Sequence, residues 1–196
     1  MTAEHANADR ETPISHNLPG PNASRLAEML RVDHAGEYGA VAIYRGQRAV
    51  FDALPHKAAI AEEIAEMEAG EIEHLETFDR LLAERGIRPT VLSPLWNAAG
   101  FGLGAVTALM GEKAAMACTE AVEDVIEKHY AEQIAALEND DEEAALASTL
   151  TRFREDEIGH KTTAENAGAK QAPGYGLLSA AIKMGCRGAI KIAEKI

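Results

Sequence analysis

Apolar and polar residues do not alternate along this chain in the way that half-buried strands require. Val and Thr form no alternating runs, while Ala, Glu, Leu and Ile are plentiful, and this composition favours helices. With 196 residues, of which 46% are hydrophobic, the chain is long enough to fill one substantial core. The pattern therefore predicts an all-α domain.

Proline, glycine and turn residues divide the chain into long helical segments. Pro55 follows the first segment, Gly86 ends the second, and Asn139 with two aspartates separates the last two long ones. The predicted long helices span residues 24–52, 57–84, 112–138 and 142–166. Each helix is about 28 residues and about 40 Å long, which suits a four-helix bundle with a buried central site.

The connection between the second and third long helices carries no charged residue from position 94 to 111. It predicts an apolar crossover helix, because a ferritin-like bundle joins its two hairpins by one long connection. A C-terminal amphipathic helix is predicted over residues 175–195. We expect one ferritin-like domain at residues 23–196 after a mobile leader, residues 1–22, which has the features of neither a secretory signal nor a transit peptide.

Two Glu-x-x-His motifs lie 86 residues apart, and each follows another Glu at an interval of 34 residues. The same shift of 86 carries Tyr44 onto Tyr130 and Gln47 onto Gln133, so the match extends beyond the motifs. The duplicated acidic and imidazole residues are Glu37, Glu71, His74, Glu123, Glu157 and His160. One Glu from each of two helices and one Glu-x-x-His from each of two others is the ligand set of a carboxylate-bridged di-metal site.

A helix brings residues three apart onto one face, so each motif can present an oxygen and a nitrogen to one ion. Four buried carboxylates would be very unfavourable alone, whereas two divalent ions neutralise them. Carboxylate and imidazole ligands without thiolate favour iron or manganese over structural zinc. The alternative is a duplicated hairpin whose glutamates form a solvated face.

For other polar residues near the motifs, the sequence gives weaker support for a functional role. We expect the remaining glutamates, including Glu68, Glu120 and Glu127, to form a solvated acidic face. Tyr130, like Tyr44, lies two turns beyond a Glu of the set and either hydrogen-bonds a substrate or is an ordinary core tyrosine. Four further residues, for which a supporting or surface role stays open, are Asp33, His34, His129 and Asp156.

Charge and composition exclude several functions. The net charge of −13 argues against nucleic acid as a partner, because a phosphate backbone calls for a basic surface. Cys118 and Cys186 suggest free thiols rather than a disulfide framework. No glycine-rich dinucleotide-binding motif follows a strand, and no segment reaches the ~20 apolar residues of a confident membrane span.

The last predicted helix carries a basic stripe beside apolar residues. Lys183, Arg187, Lys191 and Lys195 recur every four positions, within a segment that holds a single acidic residue, Glu194. A basic amphipathic helix on an acidic protein is typical of binding to a membrane surface. The alternative is a helix that docks on the acidic bundle through salt bridges.

Four segments resemble the demethoxyubiquinone hydroxylase family: LRVDHAGEYGA at residues 30–40, EMEAGEIEHL at 66–75, ACTEAVED at 117–124 and FREDEIGH at 153–160. His129-Tyr130 with Gln133 and the ending GCRGAI at 185–190 resemble it too, so the resemblance spans roughly residues 24–196. It implies a ferritin-like di-iron mono-oxygenase that uses O2 to hydroxylate the ring of a polyprenyl-benzoquinol late in ubiquinone synthesis. The family's iron ligands carry over to the six residues of the repeat.

The resemblance also implies two iron ions as cofactor, NADH or another external reductant, and protein partners in ubiquinone biosynthesis. It implies a peripheral protein on the cytoplasmic face of a bacterial inner membrane. Two rivals share the ligand set, an iron-storage subunit and a peroxide-detoxifying di-metal enzyme. Neither requires the apolar crossover helix or the basic C-terminal helix.

Overall fold

A computed structural model describes residues 21–195, which form six α-helices and no β-strand. Three short 3-10 turns lie at Pro55–Lys57, Asp141–Glu143 and Ala169–Gln171. The helices are α1 (Pro21–Phe51), α2 (Ala58–Glu84), α3 (Ser93–Leu109), α4 (Glu112–Leu137), α5 (Ala144–Asn166) and α6 (Tyr175–Ala193). The prediction of an all-α ferritin-like bundle with a crossover helix is confirmed.

The helices end close to the proline, glycine and turn residues that the sequence predicts as their limits. After α2, Gly86 adopts the left-handed conformation with φ of 65°, which glycine accepts at low cost. The amide of Gly86 donates to the carbonyl of Ala83, and the amide of Ile87 donates to that of Leu82, so the last carbonyls of α2 are satisfied. The predicted leader lies outside the described residues except that α1 already begins at Pro21, and its mobility stays a prediction.

The two largest of four apolar clusters in the described residues lie one on each side of the bundle centre. The first contains Tyr44, Phe51 and Ile64, and the second contains Leu30, Phe78, Leu82, Leu150 and Phe153. Along each of α1, α2, α4 and α5, a Glu of the repeated set lies between the residues that enter these two clusters. The acidic residues are therefore held between two apolar layers.

The crossover helix α3 packs against α1 almost backbone to backbone. A Cβ on Gly104 would lie 2.0 Å from the carbonyl oxygen of Ile43, and one on Gly46 would lie 2.1 Å from that of Phe101. Only glycine permits such an approach. The uncharged crossover predicted from the sequence is thus a closely fitted layer over α1.

Helix α6 packs against α4. The position of Lys183 contradicts the prediction that all four basic residues form one exposed stripe. The ammonium group of Lys183 turns inward and lies 3.2 Å from Oε1 of Glu120 and 3.1 Å from Oδ2 of Asp124. Arg187, Lys191 and Lys195 are exposed. The docking alternative therefore holds for Lys183, whereas membrane binding by the three exposed residues stays a prediction. Across residues 21–195, every helix is too short or too polar to cross a membrane.

Candidate metal centre

The structure brings the six residues of the repeat together at the middle of the bundle. Two groups of ligand atoms form, and within each group all atoms lie within 4.8 Å of one another. The first group is Glu37, Glu71, His74 and Glu157, and the second is Glu71, Glu123, Glu157 and His160. Glu71 and Glu157 belong to both, so two ions would share them, while Glu37 and Glu123 would each serve one ion.

Each Glu-x-x-His motif faces the other half of the bundle. Nδ1 of His160 lies 2.8 Å from Oε1 of Glu71, and Nδ1 of His74 lies 3.3 Å from Oε1 of Glu157. All six residues carry at least one buried oxygen or nitrogen that has no hydrogen-bond partner. Buried polar atoms without partners are costly unless something else satisfies them. The donor set of carboxylates and imidazoles fits two divalent iron or manganese ions.

The electrostatics of the cluster also fit cations. Burial raises the pKa of Glu71 well above its ordinary value, and repulsion by Glu123 and Glu37 raises it further. Burial and repulsion by Glu71 and Glu123 do the same to the pKa of Glu157. Burial also opposes ionisation of Glu37, but the combined effects of His74, Glu71 and Tyr130 outweigh it and lower the Glu37 pKa. Positive charge between these groups would offset the cost of ionising Glu71 and Glu157.

Two tyrosines hold the glutamates that are not shared. The hydroxyl of Tyr44 donates to Oε1 of Glu123 at 2.6 Å, and the hydroxyl of Tyr130 donates to Oε1 of Glu37. Each tyrosine thus supports the glutamate that lies in the opposite half of the repeat. Both hydroxyls are fully buried, so these bonds satisfy groups that would otherwise be costly to bury. Tyr130 touches a candidate ligand, and a direct role in catalysis stays a prediction.

The weaker candidates fall into different environments. Asp156 supports a candidate ligand, because its Oδ2 lies 3.2 Å from Nε2 of His74. Asp33 contacts no imidazole of the cluster and instead accepts a hydrogen bond from Gln133 at 2.6 Å, with Nε2 of His129 at 3.4 Å. His34 pairs with Asp79 at 2.9 Å. Only Asp156 of these four lies beside a member of the two groups.

Three of the remaining glutamates are buried, namely Glu68, Glu120 and Glu127. For these three, the prediction of a solvated acidic face is wrong. Glu68 accepts from Arg45 and Arg48, and Glu127 accepts from Arg154. Glu120 accepts from Tyr175, Ser179 and Lys183 and so anchors α6. Composition cannot separate these from ligands, because both kinds of buried carboxylate lie on the inner faces of the same helices.

A cavity of about 510 Å³ lies beside the cluster, and its walls come from α1, α3, α4 and α6. The walls are almost wholly apolar and include Trp96, Leu103, Val125 and Ile182. Glu37 and Tyr130 also line the cavity, whereas Tyr44 and Glu123 do not. The volume is in the range that holds a drug-sized ligand. An apolar molecule in this cavity would therefore lie against one side of the metal cluster.

Asp33 and His129, whose roles stayed open from the sequence, form a polar pair in the cavity wall. Their counterparts 86 positions away are Thr119 and Ile43, which cannot titrate near neutral pH. A position-by-position comparison of the two repeats would have found this difference.

Known proteins resemble the chain over most of its length. Residues 24–193 match the sequence profile of the family described as ubiquinone biosynthesis protein COQ7. A 3-demethoxyubiquinol 3-hydroxylase of Rhodospirillum rubrum is 49% identical over 181 residues, covering 91% of this chain and 83% of that relative. A mitochondrial NADPH-dependent 3-demethoxyubiquinone 3-hydroxylase of Mus musculus is 44% identical, covering 91% and 81%. A mitochondrial 5-demethoxyubiquinone hydroxylase of Saccharomyces cerevisiae is 39% identical, covering 100% and 88%.

Proposed function

The chain belongs to the family of the ubiquinone biosynthesis protein COQ7, and from that premise we propose that it hydroxylates the ring of a polyprenyl demethoxy-benzoquinol. The reaction uses O2, places one oxygen atom on the ring and releases the other as water. The observation that carries the proposal is an apolar cavity whose inner wall contains Glu37 and Tyr130 of the acidic cluster.

The six residues of the repeat hold two iron ions in this proposal. Bound iron supplies the binding and reduction of O2, which side chains alone do not provide. Glu71 and Glu157, which belong to both groups of ligand atoms, would contribute to both ion sites, and Tyr130 and Tyr44 fix the orientation of Glu37 and Glu123. The apolar layers on both sides keep water from the centre, and the electrostatic interactions inside are correspondingly stronger.

The cavity positions the substrate. Its apolar walls bind the ring and the first part of the prenyl tail, and the carbon to be hydroxylated faces Glu37. Asp33 and His129 supply the polar part of the wall and can hold a proton near a quinol hydroxyl. Burial raises the pKa of Asp33 even though hydrogen bonding to His129 lowers it.

A polyprenyl substrate also requires access from a membrane. Large apolar side chains are exposed on the two helices that flank the cavity, namely Phe101, Val106 and Leu109 on α3 and Leu177, Met184 and Ile192 on α6. Arg187 and Lys191 add positive charge on α6, and Lys195 adds it just after the helix ends. We place this face against an anionic membrane, and the bacterial relative favours the cytoplasmic face of an inner membrane.

The electrons come from an external reductant. The mouse relative is named as NADPH-dependent, and a nicotinamide donor is our proposal for this chain as well. A storage protein or a peroxide enzyme would share the cluster, but neither needs an apolar cavity of this size beside it.

The test is oxygen labelling with the full chain. Reduced, iron-loaded protein in detergent should convert a demethoxy-benzoquinol to a product with one ring oxygen derived from 18O2. Release of label from water into the ring, mineralisation of many irons per chain without quinol, or rapid turnover of H2O2 would each contradict the proposal.

A matched pair of variants on α6 tests the cavity. Gly185 lines it and Gly188 does not, and a Cβ on either residue would meet no atom within 4 Å. Gly185→Trp should raise KM for the quinol or abolish hydroxylation while iron content stays at two per chain. Gly188→Trp should retain activity in detergent. Equal effects of the two substitutions would show that the substrate binds elsewhere.

A further inference from the structure

The two repeats differ behind their ligand histidines. Asp156 directly precedes Glu157, and its counterpart 86 positions earlier is Gly70, which directly precedes Glu71. The repeat thus supplies a carboxylate at one of these positions and no side chain at the other. Because each motif faces the opposite half of the bundle, Asp156 lies beside His74 and Gly70 lies beside His160.

His74 is held on both sides. Its Nε2 lies 3.2 Å from Oδ2 of Asp156, and its ring stacks on Phe153 with centroids 3.9 Å apart. The side chain is 2% exposed. A carboxylate behind a ligand imidazole fixes the ring and raises its basicity, and such partners are typically worth about 10–100-fold in metal affinity.

Within the part of the chain that the structure describes, His160 lacks a carboxylate at Nε2, and its aromatic contact is an edge-on one with Tyr44, with centroids 6.3 Å apart, rather than a close stack. Across residues 21–195, the carboxylates within 4 Å of its ring are Glu71 and Glu157, and both approach Nδ1. A Cβ on Gly70 would lie 3.3 Å from Cε1 and Nε2 of His160, so this edge of the ring packs closely against a residue that supplies no carboxylate. The His160 side chain is 15% exposed, and it is the one member of the two groups that is not buried.

We propose that the two metal positions are unequal, so that the ion at His160, which is the more exposed and less supported imidazole, binds last and leaves first. The inference rests on the di-metal centre of the proposed function and adds an order of loading to it. Asp156 is itself 50% exposed, so water screens part of its effect. We expect the two release rates to differ by about tenfold, at the lower end of the usual range.

The experiment measures metal release rather than activity. Apoprotein loaded with two equivalents of Co2+ is mixed with an excess of a colorimetric chelator, and release is followed with time. Two phases of equal amplitude are expected, and protein loaded with one equivalent should show mainly the slow phase. A single phase from protein that holds two Co2+ per chain would overturn the inference. Elemental analysis showing fewer than two Co2+ in the fully loaded protein would instead contradict the di-metal centre.

Three substitutions assign the phases. Asp156→Asn should accelerate the slow phase about tenfold and leave the fast phase unchanged. Gly70→Ala places a methyl group beside the His160 ring and should change the rate of the fast phase alone. Asp79→Asn is the matched control, because Asp79 pairs in the same way with His34, which belongs to neither group. An equal effect of Asp156→Asn on both phases would refute the assignment, and if that variant does not fold, Gly70→Ala and the wild type still decide.

Discussion

Tyr44 and Tyr130 are equivalent in sequence but unequal in surroundings. Each donates a hydrogen bond to one of the two glutamates that are not shared, and only Tyr130 also lines the cavity. Tyr130→Phe should therefore lower kcat/KM for quinol hydroxylation by about 10–100-fold, the usual cost of losing a partner of a metal ligand. Tyr44→Phe should affect metal binding similarly but leave KM for the quinol unchanged, because it is remote from the cavity.

Steady-state kinetics and metal analysis of both variants measure this difference. A KM change common to the two variants would mean that Tyr130 acts only by orienting Glu37. Loss of activity with unchanged metal content in Tyr130→Phe alone would support contact with the substrate.

Glu71 should have opposite effects on stability with and without metal. In metal-free protein its ionisation is opposed by burial and by Glu123 and Glu37, which raise its pKa. Glu71→Gln removes the acidic group and should therefore raise the Tm of the metal-free protein. In metal-loaded protein it removes a shared anionic ligand, so metal content and the metal-induced rise in Tm should fall.

Thermal unfolding with and without a chelator tests both expected changes in Tm in one series. If Glu71→Gln binds two ions per chain with the wild-type gain in Tm, Glu71 is not a ligand. The corresponding change at Glu157, the other shared carboxylate, should behave in the same way.

At the scale of the elements, glycine sets the distance between α1 and α3. Gly104→Ala places a Cβ against the backbone of Ile43 and should lower the free energy of unfolding by about 1–3 kcal/mol or more through overpacking. Gly102→Ala on the same helix is the matched control, because a Cβ there would meet nothing within 4 Å. It should be neutral or stabilise by up to about 1 kcal/mol, since alanine is the better helix former.

Urea unfolding of the two variants gives the comparison directly. Equal stabilities would mean that α3 can move away from α1 without loss. Because α3 also forms a wall of the cavity, a shifted helix in Gly104→Ala should further raise KM for the quinol.

At the scale of the whole molecule, charge is unevenly distributed. The chain carries a net charge of −13, yet the exposed face of α6 is basic. Changing Arg187, Lys191 and Lys195 to Gln should weaken binding to anionic liposomes by up to about 1 kcal/mol per charge. Lys183 is left in place, because its ion pairs with Glu120 and Asp124 anchor the helix.

The control removes the same charge elsewhere, by changing Arg80, Lys128 and Arg152 to Gln on α2, α4 and α5. These side chains are exposed, and none of them lies on α3 or α6. Liposome flotation at low and high salt should show a loss specific to the α6 variant, since exposed charges are screened by salt. Equal losses in the two triple variants would argue against a defined membrane face.

The sequence by itself determined the helices and the six residues of the cluster. Helix ends depend on local residues such as Pro55 and Gly86, and the two Glu-x-x-His motifs need only a spacing of three on one helix. The internal repeat then selected Glu37 and Glu123 from many glutamates. These features depend on neighbours along the chain, so a pattern within the chain can specify them.

Only the tertiary structure decided which side chains meet across the bundle. It paired Asp156 with His74, left His160 beside Gly70, turned Lys183 toward Glu120, and placed Tyr130 rather than Tyr44 at the cavity. These contacts depend on how far each helix is rotated and shifted against its neighbours. Rotation and shift result from packing over the whole length of the helices, such as the glycine contacts between α1 and α3, and no local pattern in the sequence specifies them.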